Sequence, residues 1–254
     1  MSSLAGKTAL VTGASRGIGA SSAIELAKKG ATVYVASSEL EDHLEKVVQA
    51  CNAANPAGQA KHGMFDFRKS GDAEKMVAAA LKALGRIDIL VNNAGMRLSK
   101  TYGEYTEKDF DDVVAVNLKA PFLAGQAVIP SMKANGGGRI INIASQMGVV
   151  TDEQIALYGL TKAALIHLTK SMAVDLVRHN IIVNAVSPGP IMTEFNVEWT
   201  TAEPALKARR ISQIVAGRYG RAEDISEVVV FLATTDATFM LGENIVVDGG
   251  FVIH

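Results

Sequence analysis

The chain has 254 residues, 48% of them hydrophobic and 20% charged, with a formal net charge of -1. That length can bury a substantial core. The near-balance of charge gives no electrostatic reason to expect nucleic acid or an anionic membrane as a partner.

Taken in chain order, short apolar runs alternate with helical patterns. Ala9-Leu10-Val11 is the first run, followed by the glycine-rich stretch Thr12-Gly13-Ala14-Ser15-Arg16-Gly17-Ile18-Gly19. Ile18 to Lys29 has helical periodicity and stops at Gly30, a helix C-terminal glycine. Val33-Tyr34-Val35 is the second strand, and a third precedes Asp66 and Phe67. Met76, Val77, Ala80, Leu81 and Leu84 mark another helix, ended by Gly85, and Ile87 to Val91 is the fourth strand. Ile140 to Ile143, the helix Leu157 to Leu176, the strand Ile181 to Val186 and the strand Ile245 to Val247 complete the series. The strands lack strict apolar–polar alternation, as expected where a parallel sheet is buried on both faces. The pattern predicts an α/β chain: one doubly wound, Rossmann-type, mostly parallel sheet with helices on both faces. No linker or repeat divides residues 1–254, so a single domain is expected. Its irregular excursion lies at about 190–215, from Met192 to Val215.

Cys51 is the only cysteine, which excludes an intrachain disulfide and a zinc–thiolate cluster. The five histidines show no short ligand spacing, so no metal site is expected. There is no charged-then-apolar leader pattern, and no apolar stretch approaches a membrane span, which makes cytoplasm or a similar reducing compartment the expected location.

A strand, a glycine-rich turn and a helix start, in that order, make a place for a diphosphate. Glycine takes positive φ without a Cβ clash, and the first helical turn presents unpaired N–H groups and the positive end of the helix dipole. In a doubly wound sheet such a turn faces the crevice at the carboxyl ends of the strands. Other candidates also fall just past strand ends: Asn92-Asn93-Ala94-Gly95 after the fourth, Ser145 after the fifth, and Pro188-Gly189 after the sixth.

Tyr158 and Lys162 stand four residues apart in a helical segment and so share one face. A free tyrosine has a pKa of about 10, and a neighbouring ammonium favours the phenolate. Ser145 can hydrogen-bond a carbonyl or alcohol oxygen beside them.

These residues together resemble the classical short-chain dehydrogenases/reductases over nearly the whole chain. The likeness rests on Thr12 to Gly19, Asn92 to Gly95, Asn117 in Val116-Asn117-Leu118, Ser145, Tyr158, Lys162, Pro188-Gly189 and Val247-Asp248-Gly249-Gly250. Gly217-Arg218-Tyr219-Gly220 and Glu223-Asp224-Ile225 make it similar to the 3-oxoacyl-[acyl-carrier-protein] reductase-like branch.

The resemblance implies hydride exchange between a nicotinamide cofactor and a small ketone or secondary alcohol. Tyr158 would be the general acid or base, and Ser145 would orient the substrate oxygen. Lys162 would lower the tyrosine pKa and bind the nicotinamide ribose, and Asn117 would hold a relay water through its backbone. Cofactor contacts are implied for Gly13, Ser15, Arg16, Gly17, Ile18, Gly19, Asn93, Ala94, Gly95, Tyr158, Lys162, Pro188, Gly189, Ile191 and Thr193, with Asp66 and Phe67 at the adenine. Ser37 and Ser38 stand where NAD-preferring enzymes place an acid, and Arg16 is placed for a 2′-phosphate, so NADP(H) is expected ahead of NAD(H). Glu39 keeps an NAD-dependent alcohol dehydrogenase as the alternative.

Met192, Phe195 and Trp199 on one side, with Met96, Leu98, Gln146, Met147, Val149 and Val150 on the other, suggest a substrate with an apolar flank. No arginine cluster is evident, although Arg97 stands near the mouth. A non-catalytic dinucleotide sensor of the same fold would lose the tyrosine or the lysine, and both are present. Apolar residues on a second face of the Tyr158 helix (Leu160, Ala164, Ile166, Leu168) and the habit of the family imply a homotetramer.

Overall fold

The computed structural model describes residues 3–193 and 204–253. Seven strands form one sheet in the order β3-β2-β1-β4-β5-β6-β7, every pairing parallel. They are β1 (Thr8–Thr12), β2 (Thr32–Ser37), β3 (Lys61–Met64), β4 (Ile89–Asn92), β5 (Gly138–Ile143), β6 (Ile181–Pro188) and β7 (Asn244–Val247). The chain winds outward from β1 to β3, then returns to start β4 on the other side of β1. This reversal opens a crevice between β1 and β4 at their carboxyl ends.

The helices are α1 (Gly17–Lys28), α2 (Glu41–Ala54), α3 (Asp72–Leu84), α4 (Glu107–Val114), α5 (Ala120–Ala134), α6 (Ala156–Leu176), α7 (Pro204–Ser212) and α8 (Ala222–Thr234). One layer packs α1, α2 and α8 on the side chains of Ala9, Val11, Val33, Val35 and Val91. The other packs α3, α5 and α6 on Leu10, Tyr34, Leu90, Ile140 and Val183. Successive residues of β1 therefore feed opposite layers, which is why its sequence reads as an unbroken apolar run. The expected strands and helices are all present, to within a residue or two at their ends for most. In the fourth strand Ile87 and Asp88 belong to the approach and the strand begins at Ile89, while α3 departs further, beginning at Asp72, four residues before Met76.

One expectation is corrected. The continuous helical stretch Glu107–Ala134, which runs through α4, a widened turn and α5, is long and apolar enough by length and composition to cross a membrane. Its sequence spreads this over two helices with Lys119 and Pro130 between apolar groups, which hid it from inspection. In the fold it packs against α3 and α6, and Val113, Ala124, Val128 and Met132 enter the core.

Candidate active site

The glycine turn is locked to the neighbouring strand end. Gly13 takes φ +61°, and a Cβ on it would stand 2.7 Å from the Ala94 Cα. Asn93 Nδ2 donates to the carbonyls of Thr12 and Gly13, both at 2.9 Å. The Thr12 hydroxyl oxygen in turn accepts the N–H groups of Asn93 and Ala94, each at 2.9 Å. Gly19 belongs to this packing: a Cβ there would collide with the Gly13 carbonyl and the Asn93 amide. It does not line the cleft, whereas Gly13, Ser15, Arg16, Gly17 and Ile18 do.

The resulting cleft of about 490 Å³ runs along the carboxyl ends of the strands. Helix α1 opens onto it with an N-terminus that has no side-chain cap and no acidic residue in its first turn. Its first-turn N–H groups and dipole thus suit an anion. At one end lie Ser37, Ser38, Asp66 and Phe67, as expected, joined by Glu39 and Leu40. The Ser37 hydroxyl donates to the Ser15 hydroxyl at 3.2 Å, joining the second strand end to the glycine turn.

Arg68 lines the same end and was missed from sequence. It forms two 2.9 Å hydrogen bonds to Asp66, which hold the Asp66 carboxyl below its ordinary range. Its charge also faces Glu39. A basic residue two positions past Asp66 was the available signal. Asn93, Ala94, Gly95, Pro188, Gly189, Ile191 and Thr193 line the middle of the cleft.

At the other end Ser145, Tyr158 and Lys162 come together on the cleft wall. Ser145 follows β5 and accepts the Met147 N–H at 3.1 Å, capping a short turn and leaving its own O–H to donate. Helix α6 places the partly buried Tyr158 beside it and Lys162 one turn on. Lys162 is 3% exposed and donates to the Ile143 carbonyl at 2.7 Å. Its Nζ lies 5.7 Å from the Tyr158 ring centroid. Burial lowers the lysine pKa to about 8.

The expected depression of the tyrosine is not what the chain's own groups produce. Burial pushes Tyr158 above its ordinary value, and a hydrogen bond from Ser145 and the charge of Arg97 pull back against it. Desolvation outweighs charge here because the phenolate, not the phenol, loses hydration.

Asn117 is fully buried and stays out of the cleft. It sits in a π-helical turn, Ala115–Lys119, between α4 and α5. Its Oδ1 accepts the Met96 N–H at 2.7 Å, and its Nδ2 donates to the Met96 carbonyl at 2.9 Å and to Thr161 Oγ1 at 3.0 Å. The Thr161 hydroxyl donates to the Tyr158 carbonyl at 2.8 Å, so Asn117 links the loop after β4 to the Tyr158 turn.

The expected substrate walls are rearranged. Met96, Gln146 and Met147 line the cleft; Val149 is exposed, and Met192 faces an adjoining groove. Leu98 and Val150 are outside the lining, and Glu194, Phe195 and Trp199 lie outside the described residues. Where no arginine cluster was evident, Arg97 and Arg210 both enter the cleft with Tyr219. Sequence spacing hid this pair, because α7 is brought over the strand ends only by the fold. Tyr219 is carried in by a turn that pairs with the chain at Ile191, and the Arg218–Asp224 ion pair braces that turn.

The arrangement of an open helix N-terminus facing a tyrosine, a serine and a buried lysine is what a dinucleotide-dependent oxidoreductase requires. Residues 7–204 match the family model described as short chain dehydrogenase. An uncharacterized oxidoreductase of Thermotoga maritima is 38% identical over 96% of this chain and 97% of that protein. Gluconate 5-dehydrogenase of Gluconobacter oxydans is 37% identical over 99% of this chain and 96% of its own. The crystal structure of a 3-oxoacyl-(acyl-carrier-protein) reductase from Agrobacterium tumefaciens C58, with NADP bound, superposes with a TM-score of 0.91 at 32% identity, covering 97% of this chain and 95% of that one. The chain belongs to the short-chain dehydrogenase/reductase family and is an oxidoreductase of it.

Proposed function

We propose that the protein interconverts a small ketone and a secondary alcohol with NADP(H), Tyr158 being the proton donor and acceptor. The observation that carries this reading is the convergence of Tyr158, Ser145 and Lys162 on a cleft that the uncapped start of α1 also enters.

The cleft suits a dinucleotide. Close packing of Gly13 on Ala94 keeps the turn's backbone open to a diphosphate, and no acidic side chain stands at Ser37 to repel a 2′-phosphate. Arg16, Ser37 and Ser38 would hold that phosphate, Asp66 and Phe67 the adenine, and Lys162 the nicotinamide ribose. Solved relatives carry bound NADP, which supports the use of NADP(H) here. When bound, the nicotinamide supplies or takes the hydride.

The chain's own part is to place and protonate the substrate oxygen. Ser145 donates a hydrogen bond to that oxygen and so polarises the carbonyl. Tyr158, kept protonated by its buried setting, gives its proton to the same oxygen. Lys162 lies next in line to restore it, and water held at the Asn117 backbone would connect that lysine to solvent. Met96 and Met147 face an apolar flank of the substrate. The test is oxidation of NADPH by purified protein against a panel of small ketones, with NADH in parallel. Turnover with NADPH supports the reading; tight cofactor binding with no turnover of any ketone favours a sensor.

A further inference from the structure

We infer that the substrate carries a carboxylate, bound by Arg97 and Arg210 with the hydroxyl of Tyr219. This deepens the reading above and rests on Tyr158 marking the reacting end of the cleft.

The backbone at Arg97 is fixed, because both polar groups of the preceding Met96 are held by the buried Asn117. Its guanidinium therefore enters the cleft wall from a set point. Arg97 Nε is buried and has no hydrogen-bond partner among the described residues, and neither does the buried Tyr219 hydroxyl. A guanidinium is built for two parallel hydrogen bonds to a planar anion, so one that is desolvated with an unused N–H beside the reacting groups points to a ligand.

Arg210 arrives from α7 on the other side, close enough that the two positive charges disfavour one another. Its side chain is 19% exposed and lies 3.8 Å from Asp152. Asp152 also favours the charge on Arg97, as do Tyr158 and Tyr105. A planar carboxylate offers two oxygens to the fork of such a guanidinium, and the nearby Asp152 disfavours a doubly charged phosphate more than a monoanion. An anion between the arginines would relieve their repulsion and supply the acceptors that Arg97 Nε and the Tyr219 hydroxyl lack.

Arg97 also interacts electrostatically with Tyr158. The anionic group is thus bound close to the reacting carbonyl, which describes an oxo acid or hydroxy acid of short chain.

The experiment compares oxo acids with their own methyl esters, the oxo group standing at the third, fourth or fifth carbon, using the NADPH-loaded protein. At one chain length the acid should exceed its ester in kcat/KM by about tenfold or more, chiefly through KM. Arg97→Met should bring that ratio close to one, and Arg97→Lys should restore part of it, since an ammonium keeps the charge but not the paired geometry. Thermal shift of the NADPH-loaded Tyr158→Phe protein gives a readout without turnover: acids should stabilise it more than esters, and adding Arg97→Met should abolish the difference.

Esters equal to or better than acids at every length, in both assays, would overturn the inference. So would an acid-to-ester ratio that Arg97→Met leaves unchanged. Full activity in Tyr158→Phe would instead overturn the assigned proton donor, whatever the acid preference shows.

Discussion

Lys162 Nζ donates to the Ile143 carbonyl at 2.7 Å, tying helix α6 to the end of β5 through a charge that the fold buries. Burial brings this lysine to about 8 from 10.5. Between those values the unfolded chain binds the proton and the folded chain does not. Stability from this group therefore rises with pH across that window, and its full penalty is present below about 8. The shift corresponds to about 3 kcal/mol. Lys162→Met should be more stable than the parent at pH 7, by up to about that amount less the lost hydrogen bond. The gap should narrow as the pH approaches 10. Urea unfolding of both proteins across this range reads the difference directly. A gap that is constant with pH would show that the lysine's titration is not linked to folding.

Tyr158→Phe keeps the ring and removes only the hydroxyl. NADPH affinity should stay within about twofold, while turnover falls by about a thousandfold or more, the scale of lost acid–base catalysis with its positioning. Because burial holds the hydroxyl above its ordinary value, reduction by the parent should show no loss from tyrosine ionisation between pH 6 and 8. Equal loss of cofactor binding and turnover in the variant would mean that the hydroxyl serves the fold.

Much of this cleft is legible in the sequence because its residues follow strand ends, and a buried parallel strand announces itself as an apolar run. The glycine turn, Asn93, Ser145 and Gly189 all come into reach by that rule. Tyr158 and Lys162 come from helical spacing. Arg210 and Tyr219 do not follow from either rule, since α7 and the turn at Gly217 reach the cleft by crossing over it. The partners of Asn117 were equally hidden. A buried asparagine whose amide serves Met96 and Thr161 has no local signature, and only the packing of the π-helical turn against α6 reveals it. The upward shift of Tyr158 depends on desolvation, which spacing cannot convey.

Asn117→Leu is close in size and removes every polar contact of the side chain. It leaves the Met96 N–H and carbonyl without their partners in a partly buried setting, at up to about 1–3 kcal/mol for each group so stranded. The melting temperature should fall by several degrees, about 2–4 °C per kcal/mol for a chain of this length. The loop that carries Met96 and Arg97 should loosen, raising KM more than cofactor Kd. A variant with parental melting temperature and parental KM would show that these hydrogen bonds do not position the loop.

Leu160, Phe122 and Phe110 are exposed apolar side chains on α6, α5 and α4. Large apolar groups left on helix faces favour burial by association. We propose a homotetramer, and light scattering at micromolar concentration should return four times the chain mass. Leu160→Glu combined with Phe122→Glu should lower that mass. A monodisperse monomer for the parent protein would remove the proposal.

Arg16 occupies the position before α1, where its backbone is extended and the helix N-terminus lies open to the cleft. Ser37 and Ser38 face the same region without negative charge, and Arg68 offsets Glu39. A 2′-phosphate there would meet a guanidinium and hydroxyl donors, whereas the ribose hydroxyl of NADH offers Arg16 much weaker bonds. Arg16→Ala should therefore weaken NADPH by about tenfold or more and NADH by no more than about twofold. Titration of nicotinamide fluorescence with each cofactor measures both constants on one sample. Equal losses would place the 2′-phosphate elsewhere, with Arg68 as the residue to substitute next. A parent protein that binds NADH more tightly than NADPH would transfer the specificity role to Glu39, and Glu39→Gln should then weaken NADH selectively.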